Sequence, residues 1–187
     1  MVEEGDFDGA IELRDEMCEK KGWFNCNQFH NPLNIEAHYN TTAPEIIAGY
    51  PLYESDPSVL ILGTGTGGTL MGCGKRLKEK YPNIKIVAIE PEESAVMSGF
   101  EPGLHGIQGI GDGSKFLVNL DFVDEIRTIH TECAKKVARH LALKYGLFVG
   151  ISAGANVMAA FQWLRDNNKN NAITILCDRG ERYFSCL

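Results

Sequence analysis

The sequence lacks any apolar run of the roughly 20 residues that are needed to cross a lipid bilayer. Its N-terminus, MVEEGDFDG, is acidic and has neither the basic segment nor the apolar segment of a secretion signal. We therefore expect no membrane partner, and the expected location is the cytoplasm.

Positive charge and paired cysteines are also scarce. A formal net charge of -7 argues against a nucleic-acid surface. The six cysteines include no CxxC pair, so we expect reduced thiols, and no histidine has a ligand spacing with them, so we expect no metal site. What remains is a chain of 187 residues with 44% hydrophobic residues, which is typical of a globular protein with one substantial core.

The most informative stretch is Val59 to Gly74, VLILGTGTGGTLMGCG, in which an apolar run ends in glycines and threonines before a helix-forming segment. A buried strand that leads through a flexible loop into a helix leaves unpaired backbone N–H groups at the positive end of the helix dipole. Glycines let the main chain approach an anion, and threonine hydroxyls add donors. The stretch predicts a phosphate site, and a turn without a ligand is the alternative.

Strand, loop, helix and strand follow one another from Val59 to Ile89, which predicts a βαβ unit with a parallel sheet. Six glycines and a proline in Ser98 to Gly113 predict a long irregular loop. Thr42, Thr131 and Ser152 are expected at helix N-caps. We expect helices over 8–21, 42–48, 70–80, 131–145 and 152–164, and strands over 23–27, 59–62, 84–89, 122–129 and 172–176.

Two cofactors would suit the glycine loop. Gly63, Gly65 and Gly68 satisfy GxGxxG, and Glu90 ends the next strand where a dinucleotide fold places its ribose-binding acid, so an NAD-dependent oxidoreductase is one interpretation. The additional glycine and the three threonines offer more donors than a bridging pyrophosphate uses. This supply favours a terminal monophosphate.

Five segments, in order, resemble the cysteine synthases, fold-type-II pyridoxal-phosphate enzymes that make cysteine from an activated serine and sulfide and are related to the cystathionine β-synthases. The resemblance implies an α/β fold with an open, mostly parallel twisted sheet and helices on both faces, together with a remnant of the smaller domain. The segments are QFHNPLNIEAHYNTTAPEI (28–46), GTGTGGTLMGCGKRLKEKYPNIKIVAIEPEES (63–94), HGIQGIGDG (105–113), GISAGAN (150–156) and DRGERYFS (178–185).

The resemblance implies roles for individual residues. The phosphate of pyridoxal 5'-phosphate would be bound by Gly65, Thr66, Gly67, Gly68 and Thr69. Ser152 would face the pyridine nitrogen. The substrate pocket would be lined by Gln28 and Phe29, and the loop that moves when substrate enters would carry Gln108 and Gly109.

Two parts of the family pattern have no counterpart. The lysine that forms the Schiff base, in a serine-and-arginine-flanked motif, is missing from the sequence, as is the loop that clamps the substrate carboxylate. No catalytic residue is therefore assigned, because lysines such as Lys75, Lys115 and Lys144 lie outside any matching motif. Cys177 and Arg179 also stand where the family usually has proline and a small hydroxyl residue.

The match begins partway through the family pattern. We therefore expect residues 1–32 to be a remnant of the smaller N-terminal domain and residues 33–187 to form the cofactor-phosphate-binding domain. The chain is expected to be a truncated cysteine synthase, acting on O-acetylserine or O-phosphoserine, that is inactive alone. A second chain would supply the missing domain, and a homodimer would cover part of the exposed face. A non-catalytic partner module of the same fold and the NAD-dependent oxidoreductase are the alternatives.

Overall fold

A computed structural model describes residues 7–50 and 55–186 of the chain. Its sheet has three parallel strands in the order β1-β2-β3, as the βαβ pattern predicts. Val59 of β1 pairs with Lys85 of β2, and Val87 of β2 pairs with Glu125 of β3. The strands are β1 (Val59–Gly63), β2 (Lys85–Pro91) and β3 (Glu125–Ile129).

Helices cover both faces of this sheet. Val59 and Ile61 of β1 pack in one core cluster with residues of α6, whereas Leu60 and Leu62 pack in a second cluster with residues of α4. Because side chains alternate along a strand, one short apolar strand serves both cores. The helices are α1 (Phe7–Lys21), α2 (Leu33–Asn40), α3 (Thr42–Gly49), α4 (Gly68–Lys80), α5 (Thr131–Tyr145) and α6 (Ile151–Asp166), with 3₁₀ turns at Glu92–Ser94, Leu120–Phe122 and Gly180–Tyr183.

Two predicted strands are wrong. Residues 23–27 have no regular structure, and Trp23 and Phe24 are 57% and 90% exposed. Residues 172–176 run beside β1 but form only an isolated bridge, in which Ile173 exchanges hydrogen bonds with Val59 and Ile61 at 2.8 and 3.0 Å. Apolar composition alone does not make a strand, because each strand needs a partner in register.

The three predicted N-caps are also wrong. Thr42, Thr131 and Ser152 each lie inside the first turn of a helix, because the caps are Thr41, His130 and Gly150. The His130 side chain accepts a hydrogen bond from the Glu132 N–H at 3.2 Å, which is the capping role that was expected of Thr131.

Helix α2 was not expected, because its eight residues show no apolar stripe. It packs against α4 at Gly72, where any Cβ would overlap the Ile35 carbonyl oxygen. The close approach therefore depends on glycine in the partner helix, which a local pattern does not reveal. Within the described ranges, none of the helices has the length and apolarity to cross a membrane, and no three potential ligands group into a metal site.

Candidate functional site

The turn between β1 and α4 is rich in unpaired donors. Across residues 7–50 and 55–186, no group of the chain accepts a hydrogen bond from the backbone N–H of Gly65, Thr66, Gly67 or Thr69. Gly67 is the N-cap of α4 with a φ of 86°, a left-handed conformation that favours glycine. The free N–H groups and the helix dipole together make this turn a site suited to an anion.

Neighbouring segments close around the turn. A Cβ on Gly65 would lie 2.6 Å from the Gly109 carbonyl oxygen, and one on Gly67 would lie 2.5 Å from Val118 Cγ2. On Gly68 it would overlap the side chain of Asn34. The glycines therefore serve tertiary packing as well as the approach of an anion.

Asn34 of α2 joins the turn to the segment before it. Its Nδ2 donates to Thr66 Oγ1 at 3.1 Å and to the Gln28 carbonyl oxygen at 2.9 Å. The Gln28 side chain is exposed, whereas Phe29 is buried and stacks on Phe116 with ring centroids 4.7 Å apart. The structure thus places both expected substrate residues next to the turn, on the side of α2.

The glycine-rich loop, residues 98–113, lies on the other side of the turn and is held at several points. The Gly111 N–H donates to the Thr64 carbonyl oxygen at 3.0 Å. His105 Nδ1 accepts the Ile107 N–H at 3.2 Å, so its Nε2–H donates to the Gly111 carbonyl oxygen at 3.2 Å. Gly109, with a φ of 88°, has open space around it, and Gln108 beside it is exposed.

Two carboxylates near the turn have different surroundings. Glu90 is 1% exposed, and its oxygens accept hydrogen bonds from the Met97 and Ser98 N–H groups at 2.7 and 2.9 Å. It anchors the glycine-rich loop and is not free to bind a ribose, which removes the acid on which the NAD interpretation depends. Burial raises the pKa of Asp112, an effect that His105 partly opposes.

Ser152 lies at the same edge of the sheet as the turn. It is 5% exposed in the first turn of α6, one helical turn before Asn156. Asn156 Oδ1 accepts the Gly63 N–H at 2.7 Å, and its Nδ2 donates to the Ile175 carbonyl oxygen at 2.8 Å. Asn156 therefore fixes the start of α6 relative to the end of β1.

The two departures from the family pattern differ in position. The Cys177 sulfur lies 3.7 Å from Asn156 Nδ2, and burial, followed by the charge of Asp178, raises the pKa of its thiol. Arg179 points to solvent and pairs with Glu181 at 2.7 Å. Only the cysteine is thus close to the residues around Ser152.

The lysines named from the sequence are all exposed: Lys75 on α4, Lys115 after the glycine-rich loop and Lys144 on α5. Sequence reasoning did not single out Asn34, His38 or Asn156. All three lie inside the segments that carry the family resemblance, but no local pattern distinguishes them, because they contact the turn from α2 and α6, which are distant from it in the chain.

The chain is an open α/β protein. Its candidate ligand residues lie beyond the carboxyl ends of the parallel strands, which is where proteins of this class bind ligands. A family model described as pyridoxal-phosphate dependent enzyme matches residues 1–178, and the chain belongs to this family. Pyridoxal phosphate is thus the family's cofactor.

Individual proteins that are similar to this chain include cysteine synthases. The chain is 43% identical over 181 residues to a cysteine synthase of Staphylococcus aureus strain N315, covering 95% of this chain and 57% of that protein. Among solved structures, a cysteine synthase of Entamoeba histolytica is 40% identical with a TM-score of 0.87, covering 96% of this chain and 53% of the other. A hydrogen sulfide-producing enzyme of Fusobacterium nucleatum is 35% identical with a TM-score of 0.91, covering 98% and 56%.

The chain spans little more than half the length of the relatives it matches. The likeness bears out the family and the fold expected from the sequence. The partial coverage of these relatives also agrees with the sequence analysis, in which the chain matches only part of the family pattern.

Proposed function

We propose that this chain binds the phosphate of pyridoxal 5'-phosphate as the cofactor-phosphate-binding part of a cysteine-synthase-type enzyme. The supporting observation is the set of unpaired backbone N–H groups at the N-terminus of α4, those of Gly65, Thr66, Gly67 and Thr69. A terminal phosphate has three oxygens to satisfy, and four N–H donors are enough to give each oxygen at least one hydrogen bond. The Gly68 N–H already bonds to Thr66 Oγ1 at 3.2 Å, so it helps to shape the turn.

The remaining site residues would orient cofactor and substrate. Ser152 would face the pyridine nitrogen, where a hydroxyl is too weak an acid to protonate the ring. When bound, the cofactor supplies an electron sink for replacing the acetyl or phosphoryl group of an activated serine by sulfide. The exposed amide of Gln28 would reach the amino-acid carboxylate, with Phe29 forming the wall of the pocket and Gly109 the adjustable tip of the loop.

Catalysis needs groups beyond these. Lys75, Lys115 and Lys144 are exposed and none belongs to a motif for Schiff-base formation, so we assign no catalytic residue. The lysine and the carboxylate clamp would come from the portion of the family fold that this chain does not span, supplied by a second, different chain. A homodimer of this chain would only cover part of its exposed face. In this proposal residues 1–32 belong to the smaller domain and residues 33–187 to the cofactor-phosphate domain.

The test is a calorimetric titration of the chain with pyridoxal 5'-phosphate, with inorganic phosphate as competitor and NAD as comparison. We expect phosphate-competitive binding of pyridoxal 5'-phosphate and no binding of NAD. Gly67→Ala should abolish binding, whereas Gly99→Ala should preserve it. The two glycines have φ values of 86° and 88°, so the pair is matched in backbone strain, but only Gly67 lies in the turn.

Borohydride reduction of the mixture, followed by mass spectrometry, tests the assignment of the lysine. We expect no stoichiometric covalent adduct. One adduct on a single lysine would contradict that assignment, and absence of phosphate-competitive binding would contradict the proposed site.

A non-catalytic partner module of the same fold is a second candidate. Leu147, Phe148 and Phe184 are 43%, 38% and 75% exposed, and the two phenylalanine rings lie 5.4 Å apart. Contiguous exposed apolar side chains are typical of surfaces that bind another protein. Sedimentation equilibrium of the wild-type chain and of Phe184→Ser tests this candidate, which requires an association that the substitution weakens.

A further inference from the structure

The imidazole of His38 lies between two threonine hydroxyls. His38 Nδ1 is 2.9 Å from Thr42 Oγ1 at the start of α3, and His38 Nε2 is 3.1 Å from Thr69 Oγ1 in the donor-rich turn. The ring, carried by α2, therefore connects the first turn of α3 with the first turn of α4.

The tautomer of this ring decides what Thr69 offers to a ligand. If Nδ1 carries the proton, Nε2 accepts the Thr69 O–H, and Thr69 presents only lone pairs to an anion. If Nε2 carries the proton, it donates to Thr69 Oγ1, the Thr42 O–H donates to Nδ1, and the Thr69 proton is free to point elsewhere. Only the second arrangement gives an anion an additional donor.

We infer that His38 is a positioning residue for the anion site, whose Nε2–H tautomer holds the Thr69 oxygen so that the Thr69 hydroxyl donates to the bound phosphate. This inference rests on the proposed function. Burial lowers the pKa of His38, which keeps the ring neutral at physiological pH and preserves the choice between two tautomers. Asn34, on the same helix, donates to Thr66, so α2 organises the turn through two of its side chains.

The tautomer can be observed directly. Long-range ¹H–¹⁵N spectra of the histidine-labelled chain are recorded without and with saturating sulfate, a tetrahedral dianion that does not titrate near neutral pH. Signals of His38 are assigned by their loss in His38→Gln. We expect the Nε2–H tautomer in the presence of sulfate, and an Nδ1–H tautomer there would overturn the inference.

A double-mutant cycle gives an independent measurement of the same coupling. Thr69→Val should weaken sulfate binding roughly tenfold, as expected for one hydrogen bond to a charged group, and His38→Leu should weaken it about fivefold. The double variant should bind no more weakly than Thr69→Val alone, because the histidine acts only through that hydroxyl. His38→Gln, whose amide nitrogen can replace Nε2–H, should restore most of the affinity lost in His38→Leu.

Matched controls separate this role from a structural one. His140→Gln removes an exposed histidine of α5 and should leave sulfate affinity unchanged. Equal losses from His38→Leu with and without the Thr69 hydroxyl would overturn the inference while leaving the proposed function intact. A wild-type chain that bound no sulfate and no pyridoxal 5'-phosphate would overturn both.

Discussion

Replacing Asn156 by alanine is the sharpest test of how α6 holds the candidate site. The side chain is 1% exposed, accepts the Gly63 N–H at 2.7 Å and donates to the Ile175 carbonyl oxygen at 2.8 Å. Alanine would leave both backbone groups without their partner. At about 1 to 3 kcal/mol for each such group, and with both groups only partly buried, we expect a loss of about 2–4 kcal/mol in the free energy of unfolding.

The assay is urea denaturation followed by circular dichroism, with thermal melting as a second measurement. For a domain of this size the loss corresponds to a drop of roughly 4–16 °C in melting temperature. Asn167→Ala is the matched control, because Asn167 follows the same helix and donates one hydrogen bond to the Trp163 carbonyl oxygen at 2.9 Å from a more exposed position. If the two variants lost equal stability, the structural role given to Asn156 would be refuted.

Two further predictions concern packing and charge. Gly154→Ala should destabilise the chain by about 2 kcal/mol or more, because its Cβ would overlap the Ala134 carbonyl oxygen of α5. The control, Gly49→Ala, has open space around the new methyl group and should leave stability nearly unchanged. Equal melting temperatures for the two variants would contradict the α5–α6 contact. Although burial opposes its charge, hydrogen bonds from the Ile86 N–H and two lysines hold the pKa of Asp124 below its ordinary value of 3.8. This stabilisation is present above pH 3.8 and is lost as the pH falls through the lowered pKa, so Asp124→Asn should unfold more readily at pH 6 and differ less from wild type in acid; a constant difference in urea midpoint would count against it.

Local patterns predicted the central βαβ unit well. The apolar run at Val59 and the glycine–threonine turn carry their own signal, and the structure has β1, α4 and β2 within two residues of the predicted bounds. The stop of α5 at Gly146, with a φ of 69°, is equally local. Such features are predictable because the residues that determine them are neighbours in the chain.

Other features depended on distant residues. Trp23 and Phe24 have strand-forming side chains but no strand to pair with, and α2 forms without an apolar stripe because Gly72 of α4 lets it pack closely. The N-cap of α6 is Gly150, not Ser152, and the Gly150 N–H donates to the Asp178 carbonyl oxygen at 3.1 Å. No window of the sequence contains both partners of these contacts.

Local sequence was enough to predict the family, the parallel α/β architecture and the glycine–threonine turn from Gly65 to Thr69, because the residues behind each motif are neighbours in the chain. The side chains around that turn are known only from the folded chain: Asn34 and His38 from α2, Asn156 from α6 and the tip of the glycine-rich loop. A hydrogen bond forms wherever donor and acceptor come within about 3 Å of each other, whatever their separation along the chain. The partners of these side chains are therefore fixed only when the helices pack together.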